Sequence, residues 1–233
     1  MKKLLTALLF STAITAQATP IFNIFELGIQ AGQEALYDDV GTHNITTSLK
    51  NEAGTLAMYS AKRSDMPQMA YMFEMYADES AYQTHIQSEQ YRYFLSRSPD
   101  ILTQHKRKIS VEPYFLADKT IEQTKDTINR FVILDIKSEY HQAFAQSLVK
   151  VMKSAIDNED GVLAVYALKD KTDSHRWYLY EIYANEQAYQ ALRQTAYFQK
   201  YLTQTAQMIE HRQVVAIAPS LLMNKGNVRF IAE

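Results

Sequence analysis

Apolar positions along this chain change period in a fixed rhythm. Residues 22–29 form a short run rich in Phe, Ile and Leu and predict a strand. From 33 to 49, Leu36, Tyr37, Val40 and Ile45 recur at mixed three- and four-residue spacing and predict a helix, frayed or broken at Gly41. Strands follow at 55–62 and 69–77, and the short polar loop between them makes an antiparallel hairpin. Asp78 stands as a helix N-cap with Glu79 at the positive end of the helix dipole, so a second helix runs from 79 to about 95 and breaks near Ser88. A last strand is expected at 108–115.

The rhythm then starts again. Glu74 maps to Glu181, Tyr76 to Tyr183 and Tyr82 to Tyr189 at an offset of 107 residues, as Gly54 and Tyr59 map to Gly161 and Tyr166. One residue is lost later, so that His105 and Pro113 match His211 and Pro219. The second copy repeats the elements at 131–137, 139–156, 162–169, 176–184, 186–207 and 213–222. A period this long marks a duplicated domain, not a solenoid. The domains are therefore read as 19–116 and 130–223, joined by a polar linker at 117–129. The tail 224–233 carries Val228, Phe230 and Ile231 and is expected to add an edge strand.

Strand, helix, strand, strand, helix, strand is the split βαβ order: a four-stranded antiparallel sheet with two helices on one face, an α+β ferredoxin-like domain. The opposite face is not polar. Tyr71, Phe73 and Met75 alternate with Met72, Glu74 and Tyr76, and either set left in water would expose a large apolar patch. The two sheets of the chain are expected to cover each other.

Composition narrows the function classes. Lys2 and Lys3 precede a short apolar run ending in Ala16 and Ala18, the pattern of a secretory signal peptide over 1–18, so the protein is expected in the periplasm or outside the cell. The chain has no cysteine, which excludes disulfides, thiol nucleophiles and thiolate metal sites. Its 24 basic and 26 acidic residues give no footprint for nucleic acid, and no later segment is apolar enough to span a membrane. No zinc-protease, nucleophile-elbow, phosphate-loop or dinucleotide motif is present.

One constellation carries more information. Glu74, Tyr76 and Asp78 end a strand, His85 follows eleven residues after the glutamate, and Ser88 and Tyr91 come next. This resembles the antibiotic biosynthesis monooxygenase family of the dimeric α+β barrel superfamily. The second copy keeps Glu181, Tyr183 and Phe198 but has Asn185, Leu192 and Thr195 at the other positions. The resemblance implies that the two copies form, within one chain, the barrel that single-domain relatives form by dimerising. The protein is then a monomer with an internal pseudo-dimer, or a dimer through another surface.

The resemblance also implies an activity: cofactor-independent oxygenation of a quinol or polyphenol, with His85 as the catalytic proton acceptor. Tyr59, Tyr71, Glu74, Tyr76, Ser88 and Tyr91 are the expected substrate-binding residues, in keeping with the affinity of phenol-bearing side chains for flat aromatic ligands. Glu74 recurs as Glu181 in the copy without histidine, which also fits a structural duty. Haem breakdown, known in relatives with an Asn, Trp and His set, matches poorly, because Trp177 stands in the copy that has Leu192. Haem stays open as ligand or substrate. The alternative function is a periplasmic small-molecule or haem-binding stress protein without turnover. Met58, Met66, Met69, Met72 and Met75 could suggest copper, but alternating strand positions face opposite ways, and adaptable core filler is the better reading. No metal is expected. With the imidazole in one copy alone, a single competent pocket is expected in the first, the second serving as its partner.

Overall fold

The computed structural model of the protein describes residues 19–232; the expected export segment lies outside the described residues. The first copy runs β1 (Ile21–Ile29), α1 (Glu34–Asn51), β2 (Thr55–Arg63), β3 (Met69–Tyr76), α2 (Glu79–Ile86), α3 (Glu89–Ile101), β4 (Leu102–Ile109) and β5 (Val111–Asp118). The second runs β6 (Ile128–Ile136), α4 (His141–Asn158), β7 (Val162–Asp170), β8 (Arg176–Tyr183), α5 (Glu186–Gln194), α6 (Ala196–Thr205), β9 (Ile209–Val215) and β10 (Ile217–Asn224), followed by β11 (Arg229–Ile231). All strand pairs are antiparallel. No helix among the described residues is long and apolar enough to cross a membrane.

Helix α1 does not break at Gly41. Its inner face buries Tyr37, Val40, Ile45 and Leu49, and that packing outweighs the roughly 1 kcal/mol that a mid-helix glycine costs. The second helical segment does break near Ser88. Asp78 caps α2 by accepting from the Ala81 amide at 2.8 Å, and Ser88 caps α3 by accepting from the Tyr91 amide at 3.3 Å. Asn185 and Thr195 repeat both caps in the second copy. The shared glycines also have a reason. A Cβ on Gly54 would lie 2.3 Å from Ala81 Cβ, and one on Gly161 would lie 2.4 Å from Ala188 Cβ, so the hairpin can approach the following helix only at glycine.

The single last strand expected in each copy is in fact two strands that go to different sheets. β4 returns to β1 of its own copy, whereas β5 pairs with β7 of the other; β9 returns to β6, whereas β10 pairs with β2. The sheet orders are β10-β2-β3-β1-β4 and β11-β5-β7-β8-β6-β9. The pattern hid this because β4 has a run of exposed residues from Gln104 to Lys108 that reads as loop. The boundaries drawn at 116/117 and 223/224 fall inside β5 and β10, so each half donates a strand to the other. The tail forms the edge strand β11 against β5.

The two sheets stack through aromatic side chains. Phe73 lies flat on Tyr180 with ring centroids 3.8 Å apart, and Tyr71 and Phe73 both pack on Phe131. The Tyr59 and Tyr166 hydroxyls hydrogen-bond at 2.8 Å across the interface, and Tyr166 donates to buried Asp118 at 2.6 Å. On the helix side the copies differ. The second has one continuous apolar cluster built around Phe144, Leu148 and Trp177. The first has two smaller ones, around Val40 and around Ile45, and buried Asn44, Ser48, Glu52, His85 and Gln90 belong to neither.

Candidate functional site

Sheet parity decides which of the expected residues can meet. On β3, Tyr71, Phe73 and Met75 face the other sheet, so Glu74 and Tyr76 face the helices. Tyr59 and Tyr71 belong to the packing between the sheets and are corrected as ligand candidates: Tyr59 is bonded to Tyr166, and the Tyr71 hydroxyl donates to Glu26 Oε2 at 2.6 Å. Ser88 does not line the cavity described below; its hydroxyl accepts the cap bond of α3. His85, Glu74, Tyr76 and Tyr91 do come together.

His85 occupies the last turn of α2 and is fully buried. The last turn of α1 and its C-cap present Ser48 and Glu52 to it: Nδ1 lies 3.1 Å from Glu52 Oε2 and 3.3 Å from Ser48 Oγ. Glu52 also accepts hydrogen bonds from the Thr55 hydroxyl and the Gln90 amide, and Gln90 Nε2 donates to Ser48 Oγ at 3.0 Å. Burial pushes the Glu52 carboxyl up, but the hydrogen bonds from His85 and Thr55 and the His85 charge outweigh it and hold the group below its ordinary value. An ionised Glu52 is acceptor-only, so Nδ1 carries the proton in the neutral ring and Nε2 keeps its lone pair. Nε2 is buried and has no protein partner among the described residues. The Tyr76 and Tyr91 rings flank the imidazole with centroids 5.3 and 5.0 Å away.

Tyr91 also lines a cavity of about 160 Å³ between the sheet and helices α1 and α3. Its walls are apolar at Phe25, Leu27, Met72 and Phe94, and polar at Asn44, Ser60, Glu74 and Lys106. Asn44 Oδ1 is another buried atom with no partner among the described residues. The Tyr76 hydroxyl donates to Glu74 Oε2 at 2.8 Å. Burial raises the Glu74 carboxyl above its ordinary value of 4.5, against the opposing pull of His85 and the Tyr76 hydroxyl.

This shift has a checkable sign. A carboxyl whose folded pKa lies above its unfolded one favours folding below the unfolded value, and that contribution is lost as pH rises through the folded one. Glu74→Gln is therefore expected to match the wild type near pH 4 and to be the more stable protein at pH 7. Urea denaturation at both values measures the difference, and a gap that stays constant with pH would sink the assignment.

The second half of the chain reaches into this site. Lys225 Nζ donates to the backbone carbonyls of Glu52 and, at 2.9 Å, of Ala53, placing a cation at the negative end of α1. Glu52, Ser48 and Gln90 were not among the residues expected from sequence. Their signal was present: Asn44, Ser48 and Glu52 follow one another four apart along a buried helix face, where the second copy has Val151, Ala155 and Glu159.

The second copy was expected to hold no competent pocket, for want of the imidazole. It holds a cavity of about 260 Å³ at the equivalent place, lined by Leu148, Leu179, Leu192, Glu181 and Tyr183 among others. What it lacks is the imidazole and the polar side chains of Asn44 and Ser48; the Glu52 equivalent, Glu159, is kept and accepts from the Tyr197 hydroxyl at 2.8 Å. The Tyr183 hydroxyl donates to Glu181 at 2.9 Å, repeating the Tyr76 to Glu74 contact, which makes that pair a feature of the fold.

Comparison with known proteins agrees with this architecture. The family described as antibiotic biosynthesis monooxygenase matches residues 20–97 and 130–204. The structure of a proposed monooxygenase from Fusobacterium nucleatum superposes with a TM-score of 0.88 at 25% identity, over 94% of this chain and 100% of that one. A second, from Lactobacillus acidophilus, has a TM-score of 0.86 at 23% identity, over 91% of this chain and 99% of that one. Among curated proteins, none matches the chain.

Proposed function

Because the chain belongs to the antibiotic biosynthesis monooxygenase family, matched once in each half, we propose that it is an exported monooxygenase that acts on a small quinol or polyphenol without a resident cofactor. The observation that carries this reading is the buried His85, whose Nδ1 is held by Glu52 while Nε2 is left without a protein partner; its ring lies 5.0 Å from that of Tyr91, which separates it from the cavity that Tyr91 and Glu74 line.

The chemistry needs a base, a shielded site and an electron-rich substrate. Nε2 takes a phenolic proton, and the resulting phenolate is oxidised by dioxygen, forming a carbon–oxygen bond to a ring carbon as a peroxide. The imidazolium returns its proton to the distal peroxide oxygen. Loss of water across the carbon–oxygen unit then leaves a carbonyl. One oxygen atom ends in the product and the other in water, and the quinol supplies all four electrons. Glu52 offsets the charge on His85 while the proton resides there. Tyr76 and Tyr91 contribute aromatic surface beside the imidazole.

The test is anaerobic loading with reduced hydroquinones followed by oxygen, with product mass and oxygen uptake recorded. His85→Ala is expected to lower the rate about 10²- to 10⁴-fold, the usual worth of a general base. Equal rates for the two proteins would remove the proposal. Saturable quinol binding with no product would instead identify a binding protein.

A further inference from the structure

Arginine is distributed unevenly between the two cavities. The larger one, in the second copy, is lined by Arg130 of β6, Arg193 of α5 and Arg212 of β9. The corresponding positions in the first copy are Asn23, Ile86 and Lys106, so three guanidinium groups stand where the other cavity has one ammonium. Strand parity sends Arg130 to the same face as Val132 and Leu134, toward the helices, because Phe131 between them packs between the sheets. In the β6–β9 register Arg212 lies directly beside Leu134.

Two of these arginines are fixed by aromatic side chains. Arg130 stacks over the buried Tyr189 ring with its Cζ 4.2 Å from the centroid. Arg193 stands 5.6 Å from the same ring and 5.9 Å from Phe198, and its Nη1 donates to the Tyr189 hydroxyl at 3.1 Å. Among the described residues, none of the three is in an ion pair. The one carboxyl in the lining, Glu181, accepts from Tyr183, and burial raises it above its ordinary value despite the arginines nearby. The interior beyond them is apolar where the first copy is polar: Leu192 replaces His85, Ala155 replaces Ser48 and Val151 replaces Asn44.

We infer that the cavity of the second copy is a separate binding site for a small carboxylic acid with an apolar body, whose carboxylate is held by Arg193 and Arg130. The apolar wall takes the hydrocarbon part, and the planar guanidinium groups give charge-assisted, directional hydrogen bonds to a carboxylate that an alcohol cannot match. The site has no base at the Leu192 position, so it binds without performing the chemistry assigned to His85. It gives the chain a second ligand of different charge from the quinol.

Calorimetric titration of the whole chain with octanoate and with 1-octanol tests this. Octanoate is expected to bind once per chain and at least tenfold more tightly than 1-octanol. In Arg130→Gln/Arg193→Gln, octanoate should weaken at least tenfold while 1-octanol changes less than twofold. Leu202→Trp, which puts bulk into the cavity, should weaken both ligands. His85→Leu should leave octanoate binding intact, and the double arginine variant should leave quinol oxidation intact, so this site and the proposed active site can fail independently. The inference is overturned if octanoate and 1-octanol bind equally, if neither binds at millimolar concentration, or if His85→Leu removes octanoate binding. The comparison of the two ligands on the wild-type chain decides the matter even if an arginine variant fails to fold.

Discussion

Glu52→Gln is expected to lower quinol turnover by about 100-fold or more, with the Michaelis constant little changed. The carboxylate is not part of the cavity lining; it acts through His85 and is a positioning residue. Its two oxygens receive hydrogen bonds from His85 Nδ1, the Thr55 hydroxyl and the Gln90 amide, an all-donor environment that only a carboxylate satisfies in full. An amide of the same shape presents a donor to one of those donors. The imidazole then loses the partner that fixes its proton on Nδ1 and offsets the charge on the ring during proton transfer. Leaving buried donors unmatched also costs about 1–3 kcal/mol of stability, so the thermal midpoint should fall as well. Two measurements separate the effects: quinol affinity under anaerobic conditions, expected to stay within a few-fold, and single-turnover rate after oxygen addition, expected to drop. A variant with wild-type turnover would mean that His85 needs no orienting carboxylate.

Element types were legible from the apolar pattern because strand and helix periods differ, and the caps Asp78 and Asn185 announce themselves through residue type. Strand partners were not legible. Nothing in the sequence of β5 says that Leu116 will sit opposite Tyr166 of the other copy, since the pairing depends on which edge is left open after both sheets form. The candidate site divided in the same way. His85, Glu74, Tyr76 and Tyr91 were expected through the family resemblance and lie near one another, but Tyr59 and Tyr71 lie on the opposite sheet face, a distinction that needs the strand phase as well as the residue type. Glu52 was hidden because it comes from a helix 33 residues earlier. Aligning the copies marks the buried polar residues Asn44 and Ser48, which the second copy replaces with Val151 and Ala155, but not Glu52, which it keeps as Glu159.

The first half produced alone, residues 19–123, is expected to form no stable monomer. In the whole chain β2 is covered along its edge by β10, with Leu222 opposite Tyr59 and Leu221 opposite Ser60. Without the second half that edge is bare, β5 has lost β7, and the sheet face bearing Phe22, Ile24, Tyr59, Tyr71 and Phe73 is uncovered. Burying one such side chain contributes about 1.5–3 kcal/mol, so five exposed together forfeit on the order of 10 kcal/mol, as much as the net stability of a typical domain at about 5–15 kcal/mol. Relief comes from a second copy. β5 of each half-chain can pair with β2 of the other, placing Leu116 opposite Tyr59 just as Leu222 is in the intact protein, because the two crossing strands have equivalent registers. Such a dimer regains the stacked sheets, and Lys119, whose Nζ donates to the Glu159 carbonyl at 2.8 Å in the intact chain, takes the place of Lys225 at the carbonyl end of α1 next to Glu52. The dimer should dissociate and unfold on dilution, whereas linkage of the halves holds the intact chain together at an effective concentration on the order of millimolar. Sedimentation velocity at micromolar and nanomolar concentrations reads the outcome. A folded monomer of the half-chain at micromolar concentration would show that the exchanged strands are dispensable and that each copy is a domain in its own right.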